Sequence, residues 1–527
     1  MRKLLPASKD MDFGNYDCEQ TWNLICDGRT KGVFQLESNL GKSWAKRVKP
    51  RNIEELAALI SIIRPGCLKA ITKGKSMTQH YVDRKSGKDE VVYIHESLEP
   101  ILKSTQGVLI YQEQSMQIAQ TIAGFNLQKA DDLRKAIGKK KADLMSKVKK
   151  DFLEGASSKG VVDDETAEEI FSWIEKSNRY AFNKSHGVSY AICAYWSAYC
   201  KTHHPINFYW SYLYHADGKQ DPQTETRELI SDAKIHDISV FPPTITNPTP
   251  KFSINGKSIN FGLQDIKFIG SSQVKKFFAV AKEIENALGK TVGELDWHTF
   301  LINVVDKIGV TTSSALISVG AMSHTSVARS KMLYDLETWD SLTTKEKDWV
   351  RENCSSCTVL TESLSLLSPT RKEGGGTFTS KRKEAVLDLL SLLKNPPYSI
   401  EDDPQFIASK EEEYLGVSIT YSKVDSCDIG AADSTCKEVM NGKKGKMSLA
   451  VEIKRATEWT IKKGKSQGKK MAFLTIADGS CELDNVVIFP EAWEEYKSLI
   501  SERNTVLIFG ESQKNKEGLI VQKAKQI

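Results

Sequence analysis

Along roughly the first 240 residues the apolar positions recur at helical spacing. In 52–64, Ile53, Leu56, Ala57 and Ile60 fall on one helical face, and Pro65-Gly66 closes the segment. The same period predicts helices over 112–123, 129–155, 164–178 and 187–202, the last stopping near Pro205. Phe241-Pro242-Pro243-Thr244 and Asn247-Pro248 mark a boundary, where proline interrupts regular backbone pairing.

Beyond that boundary the period shortens. Residues 252–263 alternate around Asn255-Gly256, a pair suited to a tight hairpin turn. Short helices are expected as far as about residue 340, and 353–382, rich in Ser and Thr with Gly374-Gly375-Gly376, reads as a linker. After residue 445 five short strands are predicted at 447–455, 471–477, 485–489, 505–511 and 518–523, with one helix near 491–500. That order suits a small barrel of the OB type. The expected fold class is therefore α+β and multidomain, mainly helical and then a small β-barrel.

Composition narrows little. The chain has 527 residues, 40% hydrophobic and 27% charged, as in globular proteins with several cores. The net charge of +5 names no partner, but its distribution is uneven. Residues 129–150 carry nine Lys/Arg against three Asp, and 441–470 carry ten against two Glu. Such blocks are solvated helix faces or phosphate-binding surfaces. No apolar run is long enough to span a membrane, and Met1-Arg2-Lys3 has no apolar stretch behind it to form a signal peptide. Ten scattered cysteines suggest a reducing, cytoplasmic setting. Cys354-x-x-Cys357 lacks a second pair at zinc spacing, with Cys427 and Cys436 far downstream, so free thiols and no bound metal are expected.

Several segments carry a more specific signal. They are Gly32-Val33-Phe34-Gln35-Leu36-Glu37-Ser38, Arg64-Pro65-Gly66, Tyr111-Gln112-Glu113-Gln114 with Met116-Gln117-Ile118-Ala119, and Phe182-Asn183-Lys184-Ser185-His186. Between the last two lies the basic run Leu133-Arg134-Lys135-Ala136-Ile137-Gly138-Lys139-Lys140-Lys141. In this order and spacing they resemble the alpha subunit of bacterial DNA polymerase III, a C-family replicative polymerase. The resemblance continues more loosely through 240–335 and returns at 411–527.

The resemblance implies a division into a palm-to-fingers remnant (1–30), polymerase fingers (31–245), a helix-hairpin-helix region (246–340), a connecting segment (341–440) and an OB domain (441–527). It implies that Arg134, Lys135, Asn183, Lys184 and His186 face the incoming deoxynucleotide, with Arg64 beside them. A triphosphate carries about four negative charges, which cations aimed at it must neutralise during transfer. Gly138, beside Arg134 and Lys135, is expected to loosen the helix and let backbone approach phosphate. Lys139, Lys140 and Lys141 read as a solvated or DNA-backbone face. Gln112 and Glu113 read as scaffold.

Downstream, Ile266-Lys267-Phe268-Ile269-Gly270 resembles a DNA-gripping hairpin ending on Gly270, with Phe268 where the first glycine belongs. Leu316-Ile317-Ser318-Val319-Gly320-Ala321-Met322 resembles a second, more structural unit. In the barrel, Lys462, Lys463 and Lys465 with Phe473 and Trp459 are the expected single-strand contacts, while Ala472, Leu474 and Ile476 alternate into the core.

The family's Mg²⁺-binding carboxylates lie in the palm, upstream of the Phe34 segment. Asp10-Met11-Asp12 has a similar spelling but no strand leads into it, so Mg²⁺ is expected to be held by a palm outside this chain. The expected partners are primer-template DNA, deoxynucleotide, a palm-bearing polymerase half and, from the family alone, a sliding clamp. Both a polymerase divided between two genes and an incomplete gene fit this expectation. A DNA-binding protein that has kept the fold without the activity is the alternative reading.

Overall fold

The computed structural model describes residues 14–72, 74–139, 142–178, 180–367, 380–427, 429–513 and 518–527; the side chains of 137–139, 142–144, 178, 380 and 381 lie outside that description. The chain divides into two compact units, Met1–Phe208 and Tyr209–Ile527.

The first unit is built almost entirely from helices around two apolar cores. Ile53–Ile62 is capped by Asn52, whose side chain accepts from the Glu55 amide, and every residue from Leu56 to Ile62 is buried. It packs against Lys184–His203 through Ala191, Ala194, Tyr195 and Ala198. Small side chains on that face let the two helices approach closely. Lys201 is fully buried on the same helix and donates to the carbonyls of Arg29 and Lys31 at 2.9 Å each. It thereby ties down the start of the Gly32–Ser38 segment. The second core gathers around Gln112–Ala123, Leu127–Lys139, Ala142–Lys159 and Asp164–Asn178, with Phe152, Phe171, Ile118 and Leu133 at its centre. The stretch predicted as a single helix over 129–155 is thus two helices. The first continues through Gly138 to Lys139, so the expected loosening at Gly138 is not what the backbone does.

The second unit begins with Pro222–Ile235 and a three-stranded sheet. The hairpin Ser253–Asn255 and Ser258–Asn260 turns at Gly256, whose φ of 60° suits glycine. Ser239–Phe241 adds a parallel third strand beside Ser258–Asn260, directly before the Pro242-Pro243 boundary. Helices follow, among them Ser271–Leu288, Val310–Ser318, Arg329–Asp340 and Pro404–Leu415. The segment read as a linker contains the helix Leu360–Leu367, whose Leu360, Leu364 and Leu367 are buried.

The barrel matches its predicted strands closely: Lys446–Thr460, Lys470–Ala477, Glu482–Ile488, Thr505–Ser512 and Leu519–Gln526, with the helix Pro490–Tyr496 between the third and fourth. Numbered along the chain, the strands close in the order one-two-three-five-four and back to one, the third and fifth running parallel. This is the OB arrangement. Leu449, Val451, Ala472, Leu474, Ile476, Val486 and Ile508 fill the interior, as the alternation predicts.

Candidate functional site

The Asn183–His186 turn is fixed from two directions. A short parallel bridge joins Tyr111 and Phe182: the Gln112 amide donates to the Phe182 carbonyl and the Phe182 amide to the Ile110 carbonyl, both at 2.9 Å. Asn183 then caps Lys184–His203, its Oδ1 accepting from the His186 amide at 2.9 Å and the Ser185 hydroxyl at 2.6 Å. Its amide nitrogen donates to Glu113 Oε1, and the Lys184 backbone N–H donates to Glu113 Oε2, each at 2.9 Å. Glu113 therefore grips the turn with both oxygens, in keeping with its expected scaffold role. Gln114, buried one residue on, accepts from the Ile110 and Tyr111 amides and holds that end of the helix in place.

Around this turn the aromatic and basic side chains form a continuous series. Phe34 stacks on Tyr190 at 5.1 Å, Tyr190 meets His186 at 4.1 Å, and His186 meets Phe182 at 5.3 Å. The Arg64 guanidinium lies 3.9 Å from the Phe182 ring. Arg64 also donates to the carbonyls of Ser61 and Tyr180, and burial holds its pKa below the usual arginine value. It packs on a ring and backbone carbonyls. The Lys184 ammonium is half-exposed, 3.7 Å from Glu54 and 5.9 Å from the Tyr111 ring. Gly187 sits under this cluster because a Cβ there would lie 3.0 Å from Ser61 Oγ and 3.5 Å from Phe182. The structure thus brings together Arg64, Asn183, Lys184 and His186, and adds Glu54, Tyr190 and Phe34.

Arg134 and Lys135 sit on Leu127–Lys139 and both engage Asp131 of the same helix, at 2.8 Å and 2.7 Å. Lys135 first and Arg134 second hold the Asp131 carboxyl below the usual range. Their cations are already partly neutralised. Lys140, Lys141 and the side chain of Lys139 lie outside the described residues, as do Asp10 and Asp12.

In the second unit Gly270 caps Ser271–Leu288 through its backbone, and the hairpin before it closes with the Ile269 amide on the Ile266 carbonyl at 3.0 Å. Phe268 occupies the left-handed region at φ 72° and is 58% exposed, its ring 5.9 Å from Tyr414. The second hairpin is a packing device. Gly320, at φ 77°, has Arg329 Nη2 2.4 Å from where a Cβ would stand. Arg329 donates to the Ser318 carbonyl and pairs at 2.9 Å with Glu411, which is fully buried and also accepts from the Ile419 and Thr420 amides.

On the barrel Lys462, Lys463 and Lys465 are exposed in the loop joining the first two strands, and Lys462 lies 5.4 Å from the Trp459 ring. Phe473 is exposed on the second strand, opposite Thr457 on one side and Val487 on the other. Lys470 is paired at 2.7 Å with Glu458.

The ten cysteines carry free thiols, and burial pushes Cys354 up to about 11. Among the described residues no group of three or more His, Cys, Asp or Glu could hold a metal ion. Among them, too, no helix is long and apolar enough to cross a membrane.

Residues 7–160 match the family model of the bacterial DNA polymerase III alpha subunit finger domain. Over 497 residues the chain is 32% identical to the DNA polymerase III subunit alpha of Aquifex aeolicus, covering 94% of this chain and 37% of that protein. The corresponding subunits of Staphylococcus epidermidis and Staphylococcus aureus are 29% identical over 98% of this chain and 43% of theirs. The chain thus spans about two-fifths of the length of the curated relatives it matches. Over nearly all of its own length it is a relative of the alpha subunit of bacterial DNA polymerase III, matching a part of that subunit that includes the finger domain.

Proposed function

We propose that this chain supplies the fingers and DNA-binding modules of a DNA-directed DNA polymerase and acts with a palm segment outside these 527 residues, which holds Mg²⁺ and transfers the nucleotide to the primer 3′-end. The observation that carries the reading is the Asn183–His186 turn. Arg64, Lys184 and His186 project from one rigid scaffold, anchored by Glu113 and edged by the rings of Phe182, Tyr190 and Phe34. Cations beside flat apolar rings suit a nucleoside triphosphate, whose phosphates need positive charge and whose base needs a face to stack on. Arg134 and Lys135 would add charge once a phosphate competes with Asp131. The Phe268 hairpin and the barrel would hold primer-template DNA, and a sliding clamp is the further partner.

The test is primer extension with the full chain, a palm-bearing portion of the polymerase and Mg²⁺. Lys184→Ala should lower kcat/KM for nucleotide roughly ten- to 150-fold, the loss of a charge-assisted phosphate contact, while leaving primer-template affinity nearly unchanged. No dependence of extension on this chain, or equal losses in DNA affinity and nucleotide efficiency, would overturn the assignment.

A further inference from the structure

The first hairpin departs from phosphate-gripping geometry in a way that points to a different ligand. Close approach of backbone to a DNA phosphate requires a bare turn, and glycine is the residue that adopts a left-handed backbone without strain. Here the left-handed position holds Phe268, at φ 72°, and its ring is directed into solvent with 58% of its surface exposed. A bulky side chain is rare in that region, and burial does not compensate for it at this position. Tyr414 stands beside it, ring centroids 5.9 Å apart at 76°, and its carbonyl accepts from the Lys267 amide at 2.8 Å, which locks the two segments together. Each ring has a cation near it: the Lys267 ammonium 5.1 Å from Phe268 and the Lys410 ammonium, paired at 3.0 Å with Glu413, 5.8 Å from Tyr414. Behind them lies a cavity of about 330 Å³, lined by Lys267 and Ile269 on either side of Phe268 and by Gly270, Tyr414, Gln264 and Asp265. That volume is in the range of small-ligand clefts.

We infer that Phe268 and Tyr414 form a stacking step for an unpaired base of a DNA single strand, with Lys267 drawing a flanking phosphate. An exposed ring beside a half-buried one, with lysines at hand, matches a single strand, whose bases offer π-faces and whose backbone offers regular negative charge. A duplex hides those faces. An apolar protein partner would not call for a cation at each ring. The inference rests on the reading that this chain handles DNA, but not on nucleotide binding at the Asn183–His186 turn.

The full chain is assayed with Lys462→Glu, Lys463→Glu and Lys465→Glu in place, so that the barrel loop no longer attracts DNA. The probe is a short oligo(dT) carrying one 2-aminopurine, whose fluorescence reports stacking, alongside a blunt duplex. Phe268→Gly relieves the left-handed backbone and should fold at least as well as the parent; Phe268→Trp keeps a ring. Phe268→Gly should weaken single-strand binding roughly five- to 150-fold and abolish the quenching, Phe268→Trp should retain both, and duplex affinity should not fall. Unchanged affinity and quenching in Phe268→Gly would overturn the stacking step and leave the polymerase reading standing. Equal loss for duplex and single strand would overturn it in favour of a phosphate contact. A wild-type chain that binds neither DNA would overturn both readings.

Discussion

Glu113→Gln isolates the element on which the Asn183–His186 turn depends. The substitution keeps length and shape, but glutamine accepts at one oxygen only, whereas Glu113 accepts from Asn183 Nδ2 with one oxygen and from the Lys184 amide with the other. The new NH₂ group must therefore face a donor. Asn183 cannot turn over to present its oxygen, because that atom already accepts from Ser185 and from the His186 amide. A charge-assisted hydrogen bond contributes about 1.5–3 kcal/mol, and the partial exposure of this pair reduces the combined loss to about 2 kcal/mol. For a unit of this size the melting temperature should drop by about 4–8 °C. The more specific readout is hydrogen exchange at the Lys184 amide, which should quicken by about 30-fold, the same free energy expressed as a rate. If that amide exchanges at the wild-type rate, the Asn183 cap alone holds the turn and Glu113 has no positioning role. In the polymerase assay the same variant should reproduce a milder form of the Lys184→Ala defect.

Two predictions concern the second unit. Glu411→Ala strands the buried Arg329 guanidinium and two backbone amides, and should cost about 3–5 kcal/mol in urea unfolding, while Arg329→Met with Glu411→Gln, which removes both charges but keeps an oxygen for those amides, should come much nearer the wild type. A double variant as unstable as Glu411→Ala would show that the hairpin at Gly320 needs the ion pair itself. Burial raises Asp265 to about 7, so the folded form keeps a proton that the unfolded chain has already released. This contribution is fully present below about pH 4, is lost as pH rises to 7 and levels off above, by at most about 4 kcal/mol. The difference in urea midpoint between wild type and Asp265→Asn should follow that curve, and a difference that does not change between pH 4 and pH 8 would refute it.

Much of the fold was legible because its elements repeat locally. Gln112–Ala123 and Asp164–Asn178 fall where a 3.6-residue period placed them, and the barrel strands follow their two-residue alternation. The strand Ser239–Phe241 is too short to show a period and exists only through its partner Ser258–Asn260. In Leu360–Leu367 the serine content suggested a linker although the leucines kept helical spacing; Ser363 is buried and bonded to His298, so its polarity is satisfied inside. At the site, the contiguous motif Phe182–His186 marked the turn, but its supports come from distant segments. Glu113 is 70 residues from Asn183, and Tyr414 reaches the Phe268 turn from the helix Pro404–Leu415. No spacing rule links them.

The Asp131 pairing was present in the sequence as a carboxylate three and four residues before Arg134 and Lys135, and it bears on what those cations can recognise. Asp132 also stands 3.8 Å from Lys135, so two carboxylates balance the two cations. A single backbone phosphate carries about the same charge as Asp131 and has little to gain by displacing it. A triphosphate brings about four charges and several pairs of oxygens that can each meet the guanidinium fork, so it wins where a diester, with one charge and one such pair, does not. On the proposed reading, the ion pair is a filter that favours the incoming nucleotide over the DNA backbone running past the same helix. Exposed lysines such as 462, 463 and 465 carry no comparable filter and suit a ligand recognised by charge alone.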